Sequence, residues 1–274
     1  MTRAADLQPD QRPERWDDHV ALYEQAFEPL SLAFARQAIG RIGPRPGVRV
    51  LDVAAGAGGA ALALAEAGAA VTATDASPRM VDRVRRRAEA AGLAVDARVM
   101  DGTALGFPDA VFDAALSVFG VILFPDAVAG LSEMRRVVRP GGRVAVVTWT
   151  QPHRYELAAN LWEAISSIGL DPAAPAASSP AQLRFAEPEA FRRLFADAGL
   201  EDPEIETVEA ELRVPPARWL AERLRFAPGM DALISGLGER RPAALDAFVA
   251  RLERSHGPGP IGLGAVAAIG IARV

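Results

Sequence analysis

The chain has 274 residues, 50% of them hydrophobic and 24% charged, with a net charge of −5. This is a globular composition with room for a sizeable core, and it lacks the basic balance of a nucleic-acid-binding surface. The absence of cysteine excludes disulfides, thiolate chemistry and cysteine-ligated metal, and no stretch reaches the roughly 20 uninterrupted apolar residues of a membrane span.

Residues 1–15 are polar, include Pro9 and Pro13, and read as disordered. Asp17 to Ile42 is helical in pattern (Val20, Tyr23, Phe27, then Leu30, Phe34, Ala38). Pro29 divides it into two helices and sits in the first turn of the second. Gly43-Pro-Arg-Pro-Gly47 is a stop.

Strands and helices then alternate. Strands are predicted at 48–53, 70–74, 95–100, 112–117 and 143–148, with helices at 58–67, 78–91 and 125–138. Ser77 caps the second of these helices, with Pro78 at its first position and Gly92 at its end. Arg83, Arg85, Arg86 and Arg87 lie on it and read as a solvated face. Arg139-Pro-Gly-Gly142 closes the third. The alternation predicts a Rossmann-like α/β fold with a mostly parallel sheet and right-handed crossovers.

After Trp149 the rhythm changes. A helix is predicted at 156–168, an Ala/Pro/Ser-rich loop at 171–181 and a helix at 188–198. A strand at 205–214 and helices at 216–226 and 242–254 follow. A last strand at 261–274 would run antiparallel, completing seven strands. The organisation expected is a single domain over 16–274. Its parts are a helical cover (16–44), a ligand-binding core (45–150) and substrate-covering insertions (150–187 and 215–256). With no signal-peptide pattern at the N-terminus, a cytoplasmic enzyme without a membrane partner is expected.

The first strand ends in Asp52, and Gly56 and Gly58 follow at i and i+2. Glycines there let the backbone turn sharply and approach a ligand closely. The helix beyond offers free N–H groups. Alone this is ambiguous, because Gly56, Gly58 and Ala61 also satisfy the dinucleotide pattern G-x-G-x-x-A. Asp75 ends the second strand, where a carboxylate can accept hydrogen bonds from both ribose hydroxyls. Asp101-Gly102 ends the third and Ser117 the fourth. Any one of these is explained by a turn or cap. Together they line the carboxyl edge, where open α/β sheets bind ligands.

These segments resemble the class I S-adenosylmethionine (SAM)-dependent methyltransferases, in particular the small-molecule branch of the ubiquinone/menaquinone-biosynthesis type. The similarity covers about 45–150: Val50-Leu-Asp-Val-Ala-Ala-Gly-Ala-Gly58, Thr74-Asp75-Ala-Ser-Pro-Arg-Met80, Asp101-Gly-Thr-Ala-Leu-Gly-Phe-Pro-Asp109, Phe112-Asp-Ala-Ala-Leu-Ser117 and Glu133-Met-Arg-Arg-Val-Val-Arg-Pro-Gly-Gly142. The resemblance implies SAM as cofactor. Asp52, Ala54, Gly56 and Gly58 would hold its methionine portion, and Asp75 and Ala76 its ribose. Met80 would pack on the adenine, and Asp101 and Gly102 would read the adenine amino group. Ser117, Val118 and Phe119 would line the channel to the methyl group. The family's usual glycine at position 54 is alanine here, and a slightly shifted turn is expected. NAD(P) is the other ligand the turn admits. Asp52 and Asp101-Gly102 go beyond what a dinucleotide requires, and no Tyr-x-x-x-Lys pair is present.

Methyl transfer is an in-line displacement that needs no metal, so the protein chiefly orients the reactants. Among possible bases, His153 follows the fifth strand, and Tyr23 sits on the covering helix a turn from His19. By elimination the acceptor expected is a small apolar or aromatic molecule, with O-methylation favoured. A SAM-binding cyclase, a binding-only relative and an NAD(P) enzyme are the alternatives. The sequence admits a homodimer.

Overall fold

The computed structural model describes residues 7–171 and 181–274. Seven strands form one sheet in the order β3-β2-β1-β4-β5-β7-β6. They are β1 (Arg49–Val53), β2 (Ala70–Asp75), β3 (Val95–Val99), β4 (Phe112–Val118), β5 (Val138–Trp149), β6 (Glu204–Val214) and β7 (Ile261–Arg273). β1 pairs in parallel with β2 and β4, and β4 with β5. β7 runs antiparallel to both β5 and β6. The seven-stranded, mostly parallel sheet with a reversed last strand is the one predicted. The chain reverses direction across the sheet between β1 and β4, the switch point where such folds open a crevice.

The chain begins with α1 (Pro13–Trp16), α2 (Val20–Ala26) and α3 (Glu28–Ile42), with Pro29 in the first turn of α3. α3 buries Leu30, Phe34, Ala38 and Ile42 at helical spacing. α4 (Gly59–Glu66) and α5 (Pro78–Ala91) cross over from β1 and β2. Ser77 caps α5, its Oγ accepting from the Met80 N–H at 3.1 Å. Apolar layers cover both faces of the sheet. One includes Phe34, Val147, Trp149 and Phe248. The other joins α6 (Ala127–Val137) and α8 (Pro188–Asp197) through Leu131, Met134, Phe191 and Phe195. α7 (Glu156–Ser167) follows β5.

Three expectations are corrected. Residues 7–15 are ordered: Pro9–Gln11 forms a helical turn and Pro13 opens α1. The helix expected over 216–226 is only α9 (Ala217–Ala221), and a further helix, α10 (Pro228–Gly236), precedes α11 (Arg241–His256). Both changes have one cause. Asp10 Oδ1 accepts from the Gly229 N–H at 2.6 Å, so the N-terminal segment caps a helix 219 positions away, beyond the reach of local pattern. Finally, Arg139-Pro-Gly-Gly142 is part of β5, across a register shift against β4 between Phe112 and Ala114. Of the loop predicted at 171–181, residues 172–180 lie outside the described residues.

Candidate functional site

At the end of β1 the backbone turns through three left-handed residues, Ala54 (φ 59°), Gly56 (φ 55°) and Gly58 (φ 95°). A side chain on Gly58 would also meet Val84 at 2.9 Å. The turn is tied to the end of β2. Asp75 Oδ2 accepts from the Gly56 N–H and Oδ1 from the Ser77 N–H, both at 2.9 Å. Burial raises the Asp75 pKa, and these N–H groups act against it. The Ala76 N–H also favours its charged form, and an ionised carboxylate has about four acceptor positions, so capacity remains for a ligand.

Asp52 lies deeper, 1% exposed. Its Oδ2 is buried without a hydrogen-bond partner. Burial pushes its pKa up to about 7, with Asp75 and Glu28 adding repulsion. It borders a cavity of about 20 Å³, also lined by Tyr23, Glu28, Ser31, Ala54 and Val118.

The wall opposite Asp52 comes from the N-terminal helices. The Tyr23 ring lies 3.2 Å from where a Gly56 side chain would start. Glu28 is buried, and its Oε1 accepts from the Gly59 N–H at 3.0 Å, at the start of α4. Ion pairs hold these helices to α5. Arg83 donates to both Glu24 oxygens at 2.7 Å. Arg87 Nη1 donates to Glu28 at 2.8 and 2.7 Å and to the Ala57 carbonyl at 2.8 Å. Ser77 Oγ donates to Asp17 Oδ1 at 2.6 Å. The solvated reading of the arginine run is therefore corrected for Arg83 and Arg87, which dock the covering helices. Arg85 bonds the Ala97 carbonyl of β3 at 2.8 Å, and Arg86 is exposed.

Beyond β4 and β5 the packing is aromatic and buried, with Phe119, Trp149 and Phe226 all under 9% exposed. Phe119 (φ 57°) stacks on Trp149 at 4.3 Å, and Trp149 stacks on Tyr155 at 4.6 Å. Phe27 lies 6.2 Å from Phe119 and stacks on Phe226 at 5.2 Å. The Tyr155 hydroxyl is buried and unpartnered. With Gln151 (φ 47°) after β5, each of β1, β4 and β5 ends in a left-handed non-glycine residue. Such strain costs on the order of 1–3 kcal/mol per residue and gathers at functional edges. Among the described residues, no group of three or more His, Cys, Asp or Glu is placed to hold a metal ion.

A family profile described as a methyltransferase domain matches residues 50–142, the stretch that carries this turn and the β2–β5 strand ends. This stretch is similar in sequence to methyltransferase domains. A demethylmenaquinone methyltransferase of Beutenbergia cavernae is 41% identical to the chain over 158 residues, 56% of this chain and 64% of that one. An uncharacterized protein of Mycobacterium tuberculosis is 40% identical over 134 residues, 48% of this chain and 47% of its own. The chain thus spans about half the length of the curated relatives it matches first. A SAM-dependent methyltransferase of Aquifex aeolicus shares the fold, with TM-score 0.52 and 19% identity over 73% of this chain and 93% of that one.

Within the methyltransferase domain the expected residues divide. Asp52, Ala54, Gly56, Gly58, Asp75 and Ala76 gather at the β1–β2 turns. Asp101 is exposed at the end of β3, with Oδ1 accepting from the Thr103 N–H and hydroxyl at 2.8 Å. Gly102 lies under the Phe124 ring, which leaves no room for a side chain. Met80 is buried within α5. Ser117 is fully engaged: its Oγ donates to the Val53 carbonyl at 2.9 Å and accepts from the Val121 N–H at 3.0 Å. It pins β4 to β1. Val118 borders the cavity and Phe119 begins the aromatic stack. Tyr23 covers the turn, whereas His153 is exposed on the Pro152–Arg154 turn. Glu28 and Ser31 were absent from the expected set. Glu28 begins α3 while Glu24 lies on α2, so no single helix face in the sequence marks the pair that meets Arg83 and Arg87.

Proposed function

We propose that the chain binds SAM at the β1–β3 strand ends and transfers its methyl group to a small apolar or aromatic acceptor held beside β4 and β5, with an oxygen as the favoured methyl-accepting atom. The observation that carries this reading is the buried Asp52 carboxylate behind the glycine turn, whose Oδ2 has no hydrogen-bond partner. A cationic amino-acid end supplies what that atom lacks. A dinucleotide brings a pyrophosphate instead, which normally takes the free N–H groups at a helix N-terminus. Here Glu28 already occupies the Gly59 N–H, and Asp52 stands close by. Two carboxylates favour a cation and repel a pyrophosphate.

When bound, SAM supplies an activated methyl group together with its own leaving group. The chain's part is to position and to exclude water. Asp75 has acceptor capacity left for ribose hydroxyls, and Asp101 has Oδ2 for an adenine amino group. Ala76 and Met80 flank the Asp75 turn. Burial, reinforced by Glu28, pushes the Tyr23 pKa upward. Tyr23 therefore keeps its proton at neutral pH, and serves as a positioning donor rather than as a base. His153, at the rim beyond β5, is the group assigned to the acceptor proton. Full activity of His153→Ala removes it from that role.

Calorimetry with SAM and with NAD tests the cofactor. Tight NAD binding without SAM binding overturns the proposal. Incubation with methyl-labelled SAM and a panel of phenols and quinols tests the reaction, with label expected in the product. Product without label indicates a cyclase. SAM binding without turnover indicates a binding protein.

A further inference from the structure

Asp52, on β1, approaches the small cavity from the sheet side, and Glu28, on α3, approaches it from the covering side. Asp52 is 1% exposed and Glu28 6% exposed. Asp75, on β2, adds a third carboxylate whose charge bears on Asp52. Tyr23, on α2, shares the wall and stays protonated. The cation in contact with Glu28 is Arg87, on α5, which also lies 3.7 Å from Glu24. Arg87 cannot offset all these carboxylates. The surplus falls on the unpartnered Asp52 Oδ2.

We infer that Glu28 completes the ligand's amine pocket, so that closure of the N-terminal helices over the turn is coupled to the positive charge of that amine. The inference rests on the SAM reading and adds a residue outside the family's motifs. With α2 and α3 in place, Glu28 and Asp52 face each other across the cavity. A ligand ammonium between them offsets both. A ligand lacking the amine leaves them repelling, which loosens α2 and the first turn of α3 over the glycine turn, while the rest of α3 stays seated by its buried apolar face. The amine thus reports to the Asp17, Glu24 and Glu28 latches whether the cradle is filled.

The coupling carries a pH signature. Asp52 titrates near 7 because burial, Asp75 and Glu28 all oppose its charge. Below that pH a proton occupies it and must leave before the amine pairs. Affinity for an amine-bearing ligand therefore falls on acidification, by about tenfold between pH 8 and pH 6 for one linked proton.

The test compares S-adenosylhomocysteine with its deaminated analogue, which keeps the carboxylate and lacks only the amine. Binding of each to the wild-type chain and to Glu28→Gln is measured by calorimetry at pH 6 and pH 8. Wild type is expected to prefer the amine-bearing compound more strongly at pH 8. Glu28→Gln should lose about tenfold for that compound and less than about twofold for the analogue, as for removal of one charge-assisted contact. Limited trypsin digestion of wild type gives a readout independent of any variant. S-adenosylhomocysteine should protect the bond after Arg15, at the end of α1 ahead of the covering helices, and the analogue should protect it less. Equal losses for both compounds, or equal protection by both, overturn the inference and leave the cofactor reading standing. Wild type binding neither compound overturns the cofactor reading and the inference with it.

Discussion

The two halves of the sheet's carboxyl edge are built on opposite principles. The β1–β3 half is polar. Its turn is set by left-handed backbone positions and by Asp75 accepting two main-chain N–H groups, and its cover is latched by ion pairs with α5. The β4–β5 half is apolar, a stack of Phe119, Trp149 and Tyr155 with Phe27 and Phe226 alongside. Backbone and charge recognise one chemical pattern and tolerate little change. Stacked side chains recognise shape and can be exchanged one at a time. On the reading proposed above, the first side takes the cofactor and the second the acceptor.

Substitutions on either side should separate the halves. Trp149→Ala removes the middle ring of the stack and is expected to cost about 3–5 kcal/mol. Denaturant melts measure that cost, and S-adenosylhomocysteine affinity below the transition should stay within about threefold of wild type. A large affinity loss would mean that the halves are not separable. Asp75→Ala should do the reverse. It removes charge-assisted acceptors for the ribose and should weaken binding by about 100-fold or more, read by calorimetry. Wild-type affinity in that variant contradicts the site assignment.

Smaller effects refine the picture. Ala54 holds φ 59° with its methyl against Gly120, and a left-handed L-residue costs roughly 1–2 kcal/mol. Ala54→Gly should recover about 1 kcal/mol of that cost, less the backbone entropy glycine loses on folding. The measurement is a melt, and a lower midpoint would mean that the methyl contact outweighs the strain. Tyr155→Phe deletes a buried hydroxyl without a partner. It should leave stability unchanged or raise it by up to about 1 kcal/mol. A fall in kcat/KM with unchanged cofactor affinity would make that hydroxyl an acceptor contact.

The polar half was legible in the sequence because its parts are local. A strand, an acid, two glycines and a capped helix follow within a few residues, and each leaves a compositional mark. A mostly parallel sheet followed from the same alternation and a reversed last strand was expected, whereas the order of the strands came only with the structure. The covering wall was only half legible. Tyr23 was placed over the turn by its helix. Glu28 was missed because its partners Arg87 and Gly59 lie far along the chain. The arginine run looked solvated because a helix face shows its charge but not what docks on it. α10 was hidden because Pro228-Gly229 resembles a turn, and only Asp10 makes it a helix start. The aromatic stack draws on the α2–α3 junction, the residue after β4, the end of β5 and the residue before α7, so no window of sequence contains it.

β6 forms the outer border of the sheet, and one side of its ladder has no strand to pair with. Glu204, Glu206, Glu209 and Glu211 are exposed along it. α3 ties down part of it, with Gln37 donating to the Glu209 carbonyl at 3.1 Å and Arg41 pairing with Glu206. Charged side chains on an open edge, here glutamates with Arg41, Arg154 and Arg213 paired to three of them, keep it from templating strands of other copies. Copies in which those glutamates are exchanged for apolar residues should therefore associate edge to edge, seen as a rise in light scattering, where the natural chain stays dispersed.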